Sequence, residues 1–242
     1  MNVLITRPLK QAGLLTQLIT QAGHTPLLFP TLEVKPLDCE LDDYEYDVVI
    51  FISKNAVEYG LELFESIDHD QIKVFAVGAA TAKALEAHNI PVSAYPEEQA
   101  SSEALLKLYS VRNLRDRNIL IFRGKGGRET LKQGLEPNNN QIEYAEVYER
   151  VMAEPIDTHL KSINQFLQNT QGVITITSVE NLESMLDLVK IFDESLIDEL
   201  LNYPLILLSE RIAKRAQELG FKQLHIASQT SDKGLLQALE AI

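Results

Sequence analysis

The chain has 242 residues, 45% of them hydrophobic and 24% charged, which is ordinary globular composition and length enough for two small domains. Acidic residues outnumber basic ones 35 to 22 for a formal charge of -13, so long-range attraction to nucleic acid or an anionic membrane is disfavoured. A single cysteine, Cys39, excludes an internal disulfide and makes a poor metal site.

The first segment, Met1-Asn2-Val3-Leu4-Ile5-Thr6-Arg7, has no basic leader and only a short apolar run, so it reads as a strand of a cytoplasmic protein rather than a signal peptide. Further short β-branched runs follow at residues 27–29, 48–52, 74–77, 119–122, 173–177, 205–208 and 224–227. Between them lie amphipathic stretches such as 79–88 and 212–219, with Ala, Leu, Lys and Glu at helical spacing. This alternation predicts an α/β fold of parallel sheets joined by crossover helices. No apolar stretch approaches the ~20 residues of a membrane helix.

The chain resembles itself at an offset of about 115 to 130 residues, a spacing read by matching short blocks in order. Residues 3–7 match 119–123, residues 50–53 match 175–178, residues 74–90 match 205–221, and residues 102–106 match 232–236. Two proline-interrupted stretches, 31–37 and 147–155, read as extended linkers rather than sheet strands. If they lie side by side, residues 37–150 form one domain inserted into another made of residues 1–34 and 153–242, with a ligand cleft between the two.

Strong catalytic motifs are missing. The glycine-rich run at residues 122–129 lacks the spacing of a phosphate loop or dinucleotide fingerprint. The histidines at 24, 69, 88, 159 and 225 form no ligand pair, so no metal is expected, and no serine sits in a nucleophile elbow.

What remains are the turns at the carboxyl ends of the strands, where open α/β sheets bind ligands. Ser53, Gly78, Gly124, Ser178 and Ser209 stand there as candidate helix caps. Arg7, Lys54, Arg123, Lys125, Arg128 and Arg211 lie at or just after strand ends, with the excess acids expected elsewhere. Such turns favour an anionic ligand, because first-turn N–H groups lack intrahelical partners. Thr81 and Ser231 add hydroxyls at the same level, and Tyr148 in the second linker is placed to reach the cleft.

Leu4-Ile5-Thr6-Arg7-Pro8, Phe29-Pro30, Phe51-Ile52-Ser53-Lys54-Asn55-Ala56-Val57 and Phe75-Ala76-Val77-Gly78-Ala79-Ala80-Thr81-Ala82 resemble the uroporphyrinogen-III synthase family. So do Phe122-Arg123-Gly124-Lys125-Gly126-Gly127-Arg128-Glu129, Glu146-Val147-Tyr148-Glu149-Arg150, Thr177-Ser178-Val179-Glu180-Asn181-Leu182 and Leu208-Ser209-Glu210-Arg211-Ile212-Ala213-Lys214. The order and spacing of these blocks carry the resemblance across the chain. It implies two flavodoxin-like parallel-sheet domains joined by a two-stranded linker, the second inserted into the first. It implies a cofactor-free monomeric enzyme, with room for transient contact with neighbouring enzymes of its pathway.

The implied reaction converts hydroxymethylbilane to uroporphyrinogen III, inverting ring D. Carried onto matching positions, the family's chemistry implies catalytic roles for Tyr148 and Thr81. It implies substrate binding by Arg7, Ser53, Lys54, Asn55, Gly78, Ala79, Arg123, Gly124, Lys125, Gly126, Ser178, Ser209 and Arg211. This chain has Ser209-Glu210-Arg211-Ile212 where many relatives carry a glycine and paired threonines, so Ile212 offers no hydroxyl. Read from the residues alone, a non-catalytic cytoplasmic ligand-binding or regulatory protein fits two α/β domains equally well.

Overall fold

A computed structural model of the protein describes residues 1–42, 45–67, 71–168 and 171–242; His69 lies outside them. The first half of the chain gives β1 (Asn2–Ile5), α1 (Leu9–Gln21), β2 (Thr25–Leu28), β3 (Leu32–Pro36), β4 (Val48–Phe51), α2 (Lys54–Ser66), β5 (Lys73–Ala76), α3 (Ala79–Glu86), α4 (Ser102–Lys107) and α5 (Tyr109–Arg112). The second gives β6 (Asn118–Gly124), α6 (Thr130–Leu135), β7 (Gln141–Met152), α7 (Asp157–Leu167), β8 (Gly172–Ile176), α8 (Val179–Asp193), α9 (Leu196–Leu200), β9 (Leu205–Leu207), α10 (Glu210–Glu218), β10 (Leu224–Ile226) and α11 (Asp232–Glu240). They form two compact units: unit 1 is Met1–Glu33 with Val151–Ile242, and unit 2 is Val34–Arg150. The chain passes from one to the other within β3 and within β7.

In unit 1 the sheet runs β10-β9-β8-β1-β2 with every pairing parallel. Numbered along the unit's own strands this is the 2-1-3-4-5 order of a flavodoxin-like sheet. Strands β1, β8 and β9 are buried at every position, which is why they read as continuous apolar runs rather than alternating ones. Alternate side chains still go to opposite faces: Leu4, Ile174 and Leu205 meet α8 and α10 through Leu182, Met185 and Ala216. Val3, Ile5, Val173 and Ile206 meet α1 and α11 through Leu15, Ile19 and Leu235. Each such fully buried side chain contributes about 2 kcal/mol of transfer free energy.

In unit 2 the order is β3-β7-β6-β4-β5. Pairings β4–β5, β4–β6 and β6–β7 are parallel, and a parallel bridge from Phe75 to Ala94 extends the β5 edge. Strand β3 lies beside β7 and runs the other way, since Leu37 N donates to Val147 O while Ala153 N donates to Thr31 O. One expectation is corrected here: both stretches read as linkers contribute sheet strands, residues 32–36 as β3 at the edge. Residues 147–152, read as linker rather than sheet strand, belong to a twelve-residue strand whose residues 141–148 pair with β6. Its glutamates at 143, 146 and 149 disguise it, because β7 lies beside the edge strand β3 and its burial is intermittent.

The internal repeat has a definite structural meaning. Reading across the sheets, β2-β1-β8-β9-β10 of unit 1 corresponds to β7-β6-β4-β5 and residue 94 of unit 2. The helices follow suit: α1 with α6, α8 with α2, α10 with α3, α11 with α4. Even the caps agree, since Ser178 and Ser53 accept from Asn181 N and Ala56 N, while Ser231 and Ser101 accept from Gly234 N and Ala104 N. The two sequence halves are therefore alike, yet neither half is a unit. Each unit takes a β-α-β element from one half and the remainder from the other.

Among the described residues no helix is long and apolar enough to cross a membrane.

Candidate functional site

In unit 2 the carboxyl ends of β4, β5 and β6 lead into the turns singled out above. Ser53 caps α2 in extended backbone, its Oγ accepting from Ala56 N at 3.0 Å. The same Oγ lies 3.1 Å from the Tyr148 hydroxyl. Tyr148 is only 3% exposed. Its ring rests on Gly124, where an added Cβ would come within 2.6 Å, so only glycine admits this packing. Lys54 is exposed and Asn55 half-buried in the first turn of α2.

Gly78 precedes α3 and is likewise held by a close approach, with Ala100 standing where its Cβ would be. Ala79 is exposed, while Thr81 is 4% exposed and its N–H is bonded to Gly78 O. Thr81 thus packs with Ala82 and Leu85 on the buried side of α3. Gly124 was expected to open a helix; it ends β6 instead, and α6 begins only at Thr130. In between, Lys125 N donates to Tyr148 O, and Gly126, at φ +69°, donates to Glu146 Oε1.

The cations depart from expectation, because acids stand beside most of them. Arg123 is 2% exposed, with Nη1 2.9 Å from Glu129 and Nε 3.7 Å from Glu146, and its guanidinium lies over the Tyr144 ring at 4.2 Å. Arg128 pairs with Glu103 at 2.8 Å, and Lys125 with Glu149 at 3.4 Å, both at the surface. In unit 1 Arg7 pairs with Asp232 at 2.6 Å, and its Nε is buried without a hydrogen-bond partner among the described residues. Lys54 and Arg211 are exposed. Four of these six cations therefore have a carboxylate partner within the protein.

Unit 1 presents Ser178, Ser209 and Ser231 as helix caps, their hydroxyls bonded to Asn181 N, Ile212 N and Gly234 N. Behind Ser178 lies a buried network that sequence reasoning missed. Thr6 Oγ1 is 2.6 Å from Asn181 Oδ1 and 2.7 Å from Thr175 O, and Asn181 Nδ2 donates to Thr6 O at 2.8 Å and Thr31 Oγ1 at 2.6 Å. His159, also buried, accepts from Ile156 N at Nδ1 and donates from Nε2 to Pro30 O at 2.8 Å, a structural histidine fixed in one tautomer. Asp232 was missed as well. Its only trace in the sequence is its place in the repeat, opposite Ser102.

Tyr144 and Glu129 tune each other. Burial, then the neighbouring Glu129 carboxylate, pushes the Tyr144 hydroxyl well above the ordinary tyrosine range. Glu129 is in turn held below the usual carboxylate value, first by the Tyr144 hydroxyl and then by Arg123.

Two cavities lie in unit 2. The larger, about 800 Å³, is lined by Glu45, Asp47, Lys73 and Arg117 at the amino ends of β4, β5 and β6, opposite the turns where α/β sheets bind ligands, so its size does not make it the site. The smaller, about 190 Å³, lies at the carboxyl ends beside Arg123 and Arg128.

The geometry can now be set beside known proteins. A profile described as "Uroporphyrinogen-III synthase HemD" matches residues 14–237. Uroporphyrinogen-III synthase of Escherichia coli is 27% identical over 251 residues, covering 99% of this chain and 100% of that one. The Salmonella typhimurium enzyme of that name is 29% identical, with 99% and 100% covered. Among solved structures, uroporphyrinogen-III synthetase from Helicobacter pylori aligns with a TM-score of 0.67 at 20% identity, covering 99% of this chain and 98% of that one. A mutant uroporphyrinogen III synthase from Thermus thermophilus aligns at 0.58 and 17% identity, with both chains fully covered. These structures share the fold, and the profile match spans nearly the whole sequence: the chain belongs to the uroporphyrinogen-III synthase HemD family.

Proposed function

We propose that this chain carries out the reaction for which its family is named, closing hydroxymethylbilane into uroporphyrinogen III with loss of water and inversion of ring D, a step of tetrapyrrole synthesis. The observation that carries this reading is the family match over residues 14–237, a span that includes the turns at Ser53, Gly78, Gly124, Ser178 and Ser209. The proposal includes a cytoplasmic monomer that needs no cofactor.

The substrate is a flexible, carboxylate-rich chain that cyclises without help to the non-inverted isomer, so the protein must direct ring closure rather than merely speed it. Holding a chain in one reactive geometry supplies up to about 7 to 11 kcal/mol of barrier reduction. The first-turn amides after Ser53, Gly78, Ser178 and Ser209 are suited to grip carboxylates, each worth about 0.3 to 1 kcal/mol at an exposed helix start. Use of amides rather than free cations explains how a chain of charge -13 takes an acidic substrate.

For departure of the hydroxyl group we assign Tyr148 as donor. Ser53 Oγ accepts from Ala56 N, so its own proton is available to the Tyr148 oxygen. That arrangement leaves the phenolic proton to be given outward. A phenolic O–H is a donor suited to that role. Thr81, buried at the start of α3, is the second residue we assign to this step.

The test is the product isomer. Purified protein supplied with freshly generated hydroxymethylbilane, followed by oxidation and separation of the porphyrins, is expected to give the inverted isomer. Formation of the non-inverted isomer alone, at the rate of the blank, refutes the enzyme and leaves the ligand-binding alternative.

A further inference from the structure

The smaller cavity of unit 2 has a counterpart in unit 1 that is filled by the protein itself. Its floor is apolar, formed by Ile52, Val77, Ile121 and Leu131, the side chains that close the carboxyl ends of β4, β5 and β6 against α6. Its polar wall is Ser101, Ser102 and Tyr144 together with Arg123 and Arg128, and no Asp or Glu lines it. Glu129 and Glu103 hold the arginines from outside the cavity. Arg123 is almost wholly buried, whereas the Arg128–Glu103 pair is at the surface, where such pairs are weak and re-form readily.

By the strand and cap correspondence, Arg123 matches Arg7, Ser101 matches Ser231, and Ser102 matches Asp232. In unit 1 that place is taken by the protein's own carboxylate: Asp232 meets Arg7 at 2.6 Å. In unit 2 the residue is a serine, and the space is a cavity of about 190 Å³. This is below the about 300 Å³ at which pockets for whole small molecules begin, so it fits an arm of a ligand and not the ligand.

We propose that this cavity is a subsite for one aliphatic carboxylate, its methylenes against the isoleucine and leucine floor and its head between Arg128, Ser102 and the buried Arg123. The geometry of the carboxylate site comes from the comparison of the two units. That the arm belongs to hydroxymethylbilane rests on the function proposed above.

Two substitutions push the site in opposite directions. Ser102→Asp places in unit 2 the carboxylate that unit 1 has, and an acid in a first helical turn is well tolerated. It is expected to abolish binding of glutarate, used as the probe and followed through the backbone amide shifts of residues 101–103 and 127–128. Glu103→Gln frees Arg128 and is expected to tighten glutarate binding about threefold or more. With hydroxymethylbilane as substrate, Ser102→Asp is expected to raise KM at least tenfold, more than it lowers kcat, and Glu103→Gln to lower KM. Equal responses of the two variants to glutarate, or a wild-type protein whose amides at 101–103 do not shift, overturn the subsite. If glutarate behaves as expected but the wild-type protein makes no inverted product, the subsite stands and the tetrapyrrole reading falls. If glutarate behaves as expected and KM is unmoved, the arm is not the substrate's and that part of the proposal is wrong.

Discussion

At the end of β1 in unit 1, Thr6, Asn181 and Thr31 share a buried web of hydrogen bonds. At the corresponding places in unit 2 stand Phe122, Ala56 and Val147, all in one apolar cluster, with Phe122 stacked on Phe51 at 4.5 Å. The contrast continues one residue on, where Arg7 is neutralised by Asp232 while Arg123 pairs with Glu129 and also borders a cavity. The same scaffold therefore carries two solutions. Unit 1 satisfies its strand ends with its own polar groups, which costs uniqueness of partners and yields rigidity. Unit 2 seals the layer beneath with apolar packing and leaves the polar layer above it open.

The sharpest way to break this comparison is at Asn181. Asn181→Leu leaves Thr177 N and the Thr6 carbonyl short of partners, and a loss of about 3 kcal/mol in urea denaturation is expected. Adding Thr6→Val and Thr31→Val, which moves the site toward the apolar pattern of unit 2, is expected to recover part of that loss. If the triple variant is worse than the single one, the two solutions are not interchangeable. Next in size is Asp232→Asn, which removes the partner of a mostly buried arginine and is expected to cost about 2 kcal/mol.

Gly124→Ala comes third. Its Cβ would strike the Tyr148 ring, so overpacking of about 1 to 2 kcal/mol is expected. The more telling readout is kinetic. If Tyr148 works from its seat against Ser53, Gly124→Ala and Tyr148→Phe slow formation of the inverted isomer to similar extents, and the double variant is no slower than either. The smallest effect concerns Glu129, whose folded carboxyl lies below its ordinary value of 4.5. A depressed pKa gives stability that is present above the unfolded value and lost as pH falls through the folded one. Acid titration of stability is therefore expected to lose a little of its slope below about pH 4.5 in Glu129→Gln, and an identical curve denies Glu129 that part.

Much of the fold was legible because the information is local. Residues 48–51 and 172–176 are apolar at nearly every position, as strands buried on both faces must be, and Ser53, Ser178 and Ser209 announce the helices they cap. Strand β7 was not legible, since its glutamates give it the look of a solvent-exposed connection. The site was legible only as a set of turns. Its charge balance was not, because the pairings join residues far apart in sequence: Thr6 meets Asn181 across 175 positions and Arg7 meets Asp232 across 225. The repeat held the missing clue, but only once the strand order showed which half supplies which element.

The central claim is that first-turn amides hold most of the acidic ligand's carboxylates, and hydrogen exchange tests it most directly. Uroporphyrin III, a carboxylate-bearing ligand that cannot react, is added and the backbone amides are followed one by one. The expected result is slowed exchange at Lys54, Asn55, Ala79, Ala80, Val179, Glu180, Glu210 and Arg211. Unchanged exchange at all of these, with the ligand demonstrably bound, would contradict it.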